Sequence, residues 1–431
     1  MNNYIPASPL SYIGHHKNSN VNIQEEVSFL EKNTLGLLHC VAEDVSNTKQ
    51  MQTFNKRVDH SLDKLEIYTK TIPLYIDSGG FQVLLGKYSI EDVEKLSEVY
   101  YDYLKNNPDR YDRAFVLDLP PNDFCFKNWD DVRQWNQKTY KIAADMNDDK
   151  NIFVFHMLNI QSYRIWTELF DQYHDKFNMF GVGGIAIKQY GNMNRIISYS
   201  VPFKTYLEKC LQYNMKEIDI HFLGAGQAST VLTFLFALVK EFIKDEYQIS
   251  FNIQSDSCPH QKLARARVFM ALENETIHKL TYFSKHLKSN FMGKTLETYI
   301  LDKLNKFADE NGFSVHANSI YQDNGKQNMD CYVLMTMYDL LVYKEIQEII
   351  NKKVSGILRY YLNGETELFY NKCIDFLQRL NGGKLTKNLR NDTVNLIKFL
   401  DIMRDKNLNR VEMLLKQNAT ALFQTDSLLK L

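Results

Sequence analysis

Seven short apolar runs rich in β-branched and aromatic residues punctuate the first 253 residues of this chain. They are Leu35–Val41, Leu74–Ile76, Ala114–Leu117, Ile152–Met157, Met179–Val182, Ile218–Leu223 and Ile249–Ile253. Most are continuous rather than alternating, which marks strands covered on both faces, as in a parallel sheet. The intervening segments carry apolar residues at helical spacing, as in Ile90–Tyr103 with Val93, Leu96, Val99, Tyr100 and Tyr103. Strand and helix recurring every ~30–40 residues predict an α/β fold, a (β/α)8 TIM barrel, whose usual length is ~250 residues. An eighth strand is expected near Leu280–Phe283. Beyond Ser284 helical stretches dominate. The expected organisation is an N-terminal segment (1–34), a catalytic barrel (35–284) and a C-terminal helical extension packed on it (285–431).

A barrel of this kind places its chemistry at the C-terminal ends of its strands. Those ends carry Asp77 in Asp77-Ser78-Gly79-Gly80-Phe81-Gln82, Asp118, His156 with Asn159, the pair Gly183-Gly184, Gly224-Ala225-Gly226, and Asp256. An Asp after a strand is commonly a helix cap and a Gly pair commonly a turn. Their coincidence on one rim is the signal for a site. Gly224 and Gly226, opening a helix, are weaker candidates for holding a phosphate. His156 is as well explained by a structural role, and Cys258–His260 lacks the further ligands a metal needs.

Bulk properties narrow the partners. With 51 basic and 52 acidic residues the net charge is −1, so a nucleic-acid surface would have to be local. Lys262, Arg265 and Arg267 form one candidate patch, and Lys384, Lys387 and Arg390 another. The six cysteines form no CxxC pair, which leaves free buried thiols as the expectation. No signal peptide or membrane span is read, and a cytoplasmic protein is expected.

The motifs resemble those of the queuine/archaeosine tRNA-guanine transglycosylase superfamily over about Leu35–Lys352. Asp77–Gln82 matches the family's DSGG[FY]Q, Phe180–Ala186 resembles [YF]xxGGLA, and His221–Gly226 resembles H[YF]LMGxG. Val333–Asp339 resembles the helix carrying LMTxHN. The resemblance implies a (β/α)8 pentosyltransferase that exchanges guanine for a 7-deazaguanine base through a covalent sugar–aspartate intermediate. It implies Asp256 as nucleophile and Asp77 as general acid and base. Asp118, Asn159, Gly183, Gly184, Phe81 and Ser78 would meet the base.

The departures are equally informative. The family's Cys-x-Cys-x-x-Cys cluster is missing and Tyr338 stands where its zinc-binding His would be, so neither zinc nor another cofactor is expected. The stretch around the nucleophile reads Gln254–His260 instead of FDCVLPTR. These changes resemble the divergent bacterial and phage branch that modifies DNA, and a chain rich in Asn, Lys, Ile and Tyr suits such AT-rich genomes. The expected partners are a nucleic acid, DNA before tRNA, and a 7-deazaguanine such as 7-cyano-7-deazaguanine. A second copy of the chain, or helper proteins, are further candidates. tRNA exchange, or a non-catalytic partner subunit, is the alternative.

Overall fold

The computed structural model describes residues 4–7, 18–45, 48–84, 87–122, 125–146, 148–157, 159–184, 193–225, 230–257, 263–383, 385–407 and 410–418. Eight parallel strands form one sheet: β1 (Tyr4–Pro6), β2 (Leu37–Cys40), β3 (Leu74–Asp77), β4 (Arg113–Phe115), β5 (Asn151–His156), β6 (Met179–Gly183), β7 (Glu217–Phe222) and β8 (Ser250–Ser257). β2 to β8 pair in chain order, β1 pairs with β8, and a parallel bridge from Ala7 to Leu38 brings the sheet back on itself. The molecule is a (β/α)8 barrel with a C-terminal helical region.

The eighth strand is not where the sequence reading put it. Thr276–Thr281 instead forms an antiparallel hairpin, β10, with β9 (Val268–Glu273), and the sheet is completed by Tyr4–Pro6. A three-residue strand containing proline carries almost no periodic signal. Proline is tolerated there because it sits at the end of a short strand, where one missing donor costs little.

Continuous apolar runs arise because both faces of each strand are covered. Alternate side chains turn inward, and Ile5, Leu38, Tyr75, Phe115, Ile152, Val154 and Met179 fill the barrel interior as a cluster of their own. The intervening residues join a larger core between sheet and helices. That outer ring contains α1 (Ile23–Asn33), α2 (Phe54–Thr69), α3 (Ile90–Asn106), α4 (Trp129–Asp145), α5 (Ile160–Tyr173), α6 (Ser200–Gln212) and α7 (Thr230–Tyr247). Polar caps set where several begin: Ser89 and Asp92 form a reciprocal capping box on α3, and the Asn128 side chain accepts from Asp130 and Asp131 at the start of α4. Buried tyrosines of the ring do more than fill space. Tyr100 and Tyr206 donate to the carbonyls of Phe115 (2.7 Å) and Gly181 (2.8 Å), locking helices onto strand backbone.

After the hairpin come α8 (Leu296–Asn311), α9 (Met329–Leu362), α10 (Thr366–Leu380), α11 (Lys387–Arg404) and α12 (Arg410–Gln417). The long α9 packs against both α7 and α1. It therefore fills the place in the ring that the eighth barrel helix must occupy. The chain then doubles back, with α10 on α9, α11 on α10 and α6, and α12 on α6 and α5. Among the described residues no helix is long and apolar enough to cross a membrane.

Because β1 is short, the closure leans on few side chains, and Ile5 is fully buried. Ile5→Ala should cost about 2–4 kcal/mol, the usual range for emptying a buried aliphatic site. Urea unfolding of the variant would measure it, and a loss below ~1 kcal/mol would show that β1 is dispensable to the barrel.

Candidate active site

Strand pleating decides which side chains reach the mouth. On β3 the inward residues are Tyr75 and then Asp77, and on β8 they are Gln254 and then Asp256. On β7 His221 points inward, where its ring packs 5.0 Å from Phe115 and 6.1 Å from Tyr75. Beneath the mouth the Tyr75 hydroxyl donates to Gln254 Oε1 at 3.4 Å. Asp118 follows β4 and comes to the same end of the barrel.

Asp256 is 5% exposed and bound at one oxygen by two donors. His221 Nε2 donates to its Oδ1 at 2.9 Å, and the Gly224 N–H donates to the same atom at 2.9 Å. This arrangement fixes the plane of the carboxylate and leaves Oδ2 unused by either donor. His221 is itself fully buried, so the pair is shielded from water on its inner side. Asp118, 4% exposed, is hydrogen-bonded through Oδ2 to His156 Nε2, from the end of β5. Two histidine–aspartate pairs thus stand on the rim, one on β7 and β8, the other from the segment after β4 and the end of β5.

Asp77 differs from both. Its Oδ1 accepts the Gly79 N–H at 3.1 Å, and the Cys40 thiol, directly opposite on β2, also donates to it. It keeps some solvent contact, yet protein surrounds it closely enough that burial pushes its carboxyl from 3.8 up to about 6. The Cys40 and Gly79 hydrogen bonds oppose the rise, and the nearby charges of Asp118 and Asp256 add to it. The Cys40 thiol is pushed well above its ordinary value, chiefly by burial and next by the charge of Asp77. It is a protonated donor at neutral pH.

The glycines of Asp77–Gln82 are required by space. Gly79 has φ +96°, a conformation L side chains rarely adopt, and a Cβ there would overlap that of Ala42. A Cβ on Gly80 would lie 2.5 Å from Asp118 Oδ1. Gly183 is equally constrained, since its Cβ would fall 2.6 Å from His156 Nε2. Both therefore clear room for the His156–Asp118 pair.

The structure thus brings Asp77, Asp118, Asp256, Gly183 and Gly184 to one rim. It gives other expected residues different work. Ser78 is fully buried and donates to the Val116 carbonyl, turned away from the mouth. Asn159 caps α5, its side-chain oxygen accepting from Gln161 and Ser162, both at 3.0 Å. Gly224 serves Asp256 rather than an open loop. Arg265 is exposed, while Arg267 lies between the rings of Phe283 and Tyr321. Gly226, Lys262, Cys258, His260 and the Phe81 side chain lie outside the described residues. Cys40 and His221 are the residues that sequence reasoning gave no role. The strand register, Cys40 beside Asp77 and His221 beside β8, gives them one; in the sequence His221 stands only as the head of the His221–Gly226 motif.

The zinc position of the resembled family does not fit a metal. Tyr338 stacks on Phe269 at 4.9 Å with ring planes 10° apart. Among the described residues no three His, Cys, Asp or Glu side chains are grouped to hold one. A cavity of about 560 Å³ opens elsewhere, beside the edge of β8 that β1 leaves uncovered, between α7 and α9. It holds none of the three rim acids.

No protein-family model matches the chain, and no curated protein does. Among solved structures the chain is similar to a family 1 β-glucosidase from Thermotoga maritima in complex with isofagomine lactam. The identity is 9%, the alignment covers 64% of this chain and 78% of that one, and the TM-score is 0.24. A Thermotoga maritima β-glucosidase in complex with cyclophellitol gives 10% identity, the same coverage and a TM-score of 0.23. Similarity of this size supports no conclusion about activity.

Gly80→Ala is the sharpest probe of the packing. The methyl must displace the Asp118 carboxylate or the Gly79–Gly80 backbone, so it should cost about 1–3 kcal/mol of stability and break the Asp118–His156 contact. A crystal structure of the variant with Asp118 unmoved, and unchanged thermal stability, would contradict this account.

Proposed function

We propose that the chain is a guanine transglycosylase that acts on DNA, replacing guanine by a 7-deazaguanine base. The observation that carries the proposal is the meeting of an acid raised to about 6, Asp77, with a second carboxylate oriented by two donors, Asp256, at one barrel mouth. Exchange at an N-glycosidic carbon needs such a pair of unlike carboxyl groups.

In the first half-reaction Asp256 Oδ2 attacks C1′ and forms a sugar–aspartate ester. The C1′–N9 bond breaks, its electron pair leaves with guanine, and the Asp77 carboxyl supplies the proton that neutralises the departing base. In the second, the incoming 7-deazaguanine gives its N9 proton to the Asp77 carboxylate. N9 attacks C1′ and the ester opens, restoring the Asp256 carboxylate. Asp118, anchored by His156, is suited to accept from the N1–H and 2-amino group of either base. The Gly183-Gly184 backbone allows the base close approach. The guanine must be extruded or single-stranded to enter. The preference for DNA over tRNA is supported by the missing cysteine cluster and the aromatic stack at Tyr338.

The test is incorporation of labelled 7-cyano-7-deazaguanine into DNA or tRNA by the full chain. Label in DNA is expected; label in tRNA alone would overturn the DNA assignment, and label in neither would overturn the function. Asp256→Asn should lower exchange by at least ~10³-fold, as expected when a nucleophile is lost. Guanine release should fall as the pH rises through about 6, because the proton-donating form of Asp77 is lost there.

A stability consequence follows from the same group. Asp77 binds its proton more tightly folded than unfolded, so its favourable contribution is complete below about 3.8 and is lost as the pH rises through about 6. Asp77→Asn, which cannot ionise, should therefore gain on the parent chain by about 1–3 kcal/mol between pH 4 and 8. Equal pH dependence of the two proteins in urea unfolding would contradict the burial of Asp77.

A further inference from the structure

Arg267, like Arg404, sets its guanidinium against two aromatic rings, and unlike Arg404 it does so beside an exposed one. Its own backbone is left-handed, at φ 57°, and its guanidinium sits 5.4 Å from the ring centre of Phe283 and 5.3 Å from that of Tyr321. The fully buried Tyr282 organises the neighbourhood. Its hydroxyl donates to the Ala264 carbonyl at 2.8 Å and accepts from Gln327 at 3.0 Å, its N–H donates to the Arg267 carbonyl at 2.9 Å, and its carbonyl accepts from the Tyr321 hydroxyl at 3.0 Å. Three separate chain segments, 264–267, 282–288 and 320–327, are thereby held as one surface.

That surface lies on the mouth side of the barrel. Arg265 is eight residues beyond Ser257, the end of β8, so an extended chain keeps it within about 28 Å of the rim. The start of α9 beside it is tied by Asp330 to Ser19 and Asn20, which lead into α1. Helices of a barrel begin at the mouth face. Phe283 is 39% exposed, and Arg265, Lys285 and Lys288 are exposed around it. Among the described residues no salt bridge neutralises those three cations. The acids of the hairpin, Glu273 and Glu275, sit at its opposite end, where Glu273 pairs with Lys303. Asp323 is the one acid of the segments 264–267, 282–288 and 320–327, against Arg265, Arg267, Lys285, Lys288 and Lys326, so the surface is locally positive in a chain of net charge −1.

We propose that this surface binds single-stranded nucleic acid: a base stacks on Phe283, and Arg265, Arg267, Lys285 and Lys288 meet the phosphates of the strand flanking the guanine in the mouth. It rests on the nucleic-acid substrate proposed above and names the residues that would hold it. An exposed ring stiffened by a guanidinium is a sequence-tolerant base platform, and fixed cations track the backbone. The Tyr282 ties hold the cations and the ring in one geometry before the strand arrives, so little ordering is needed on binding.

The test is fluorescence anisotropy of the full chain with a labelled 12-nucleotide single-stranded DNA, with RNA of the same sequence as a second arm. Phe283→Ala should weaken binding about tenfold, within the range for losing one stacked base. The pair Lys285→Ala and Lys288→Ala should reduce the slope of log affinity against log salt by about 1.4, two phosphate contacts at ~0.7 each. Lys352→Ala with Lys353→Ala, on the exposed face of α9, should change neither. All five positions are exposed, so thermal unfolding should match the parent chain. Parent-like binding in both patch variants, or an equal loss in the α9 control, would overturn the proposal, as would no binding of either strand by the parent chain. Base exchange is measured separately. Patch-dependent binding without exchange would leave the surface standing and remove the function. Exchange with patch-independent binding would do the reverse.

Discussion

The mouth of this barrel depends on the donors that meet Asp256. A carboxylate at the end of a doubly covered strand has lost most of its water, and that loss is tolerable only where hydrogen bonds replace it. His221 on the neighbouring strand and the Gly224 N–H in the turn that follows it do so, converging on a single oxygen. Because β7 and β8 pair in register, His221 reaches Asp256 without any loop having to bend. The same logic recurs beyond β4, where His156 at the end of β5 secures Asp118. Asp77 and Asp256 sit on strands, while Asp118 sits just beyond β4 and is held by His156 at the end of β5, so strand ends carry most of the rim geometry.

Asp77 is the deliberate exception. It receives a thiol and one backbone N–H, weaker compensation than Asp256 has, and lies near two other acids. Its raised proton affinity follows from burial first and from that crowding second. Three carboxyl groups so close together would repel one another if all were ionised. Keeping one of them protonated up to about pH 6 lowers that repulsion and stores a proton at the position where a departing base needs it. The flanking glycines serve the same crowding: Gly79 turns the chain against Ala42, and Gly80 leaves room for Asp118. Stability and chemistry are therefore opposed at Asp77, as is common where a site is built from buried charge.

Much of this was legible from residue order. Strands β2 to β8 announced themselves because burial on both faces forces continuous apolar runs, and the rim acids because they follow those runs directly. What was not legible has physical reasons. Tyr4–Pro6 is too short for any periodicity, and its place in the sheet comes from pairing with Ser255–Ser257, far away in sequence. The α9 helix reads as part of an extension until its contacts with α7 and α1 show that it completes the ring. Ser78 and Asn159 have the right chemistry for a base, but backbone groups nearer to them claim their hydrogen bonds first. Cys40 gains meaning only from strand register, which no local pattern encodes, and His221, which heads the His221–Gly226 motif, gains its role at Asp256 from the same source. Arg267, Phe283 and Tyr321 come together through tertiary contacts of Tyr282.

The most direct test of the two-carboxylate account is to trap the enzyme on guanine-containing single-stranded DNA by acid quench, digest it, and locate the modified peptide by mass spectrometry. The account predicts a sugar ester on Asp256, within the peptide that spans β8, in the parent chain and none in Asp256→Asn. An ester on Asp118 or Asp77, or one that persists in Asp256→Asn, would contradict it.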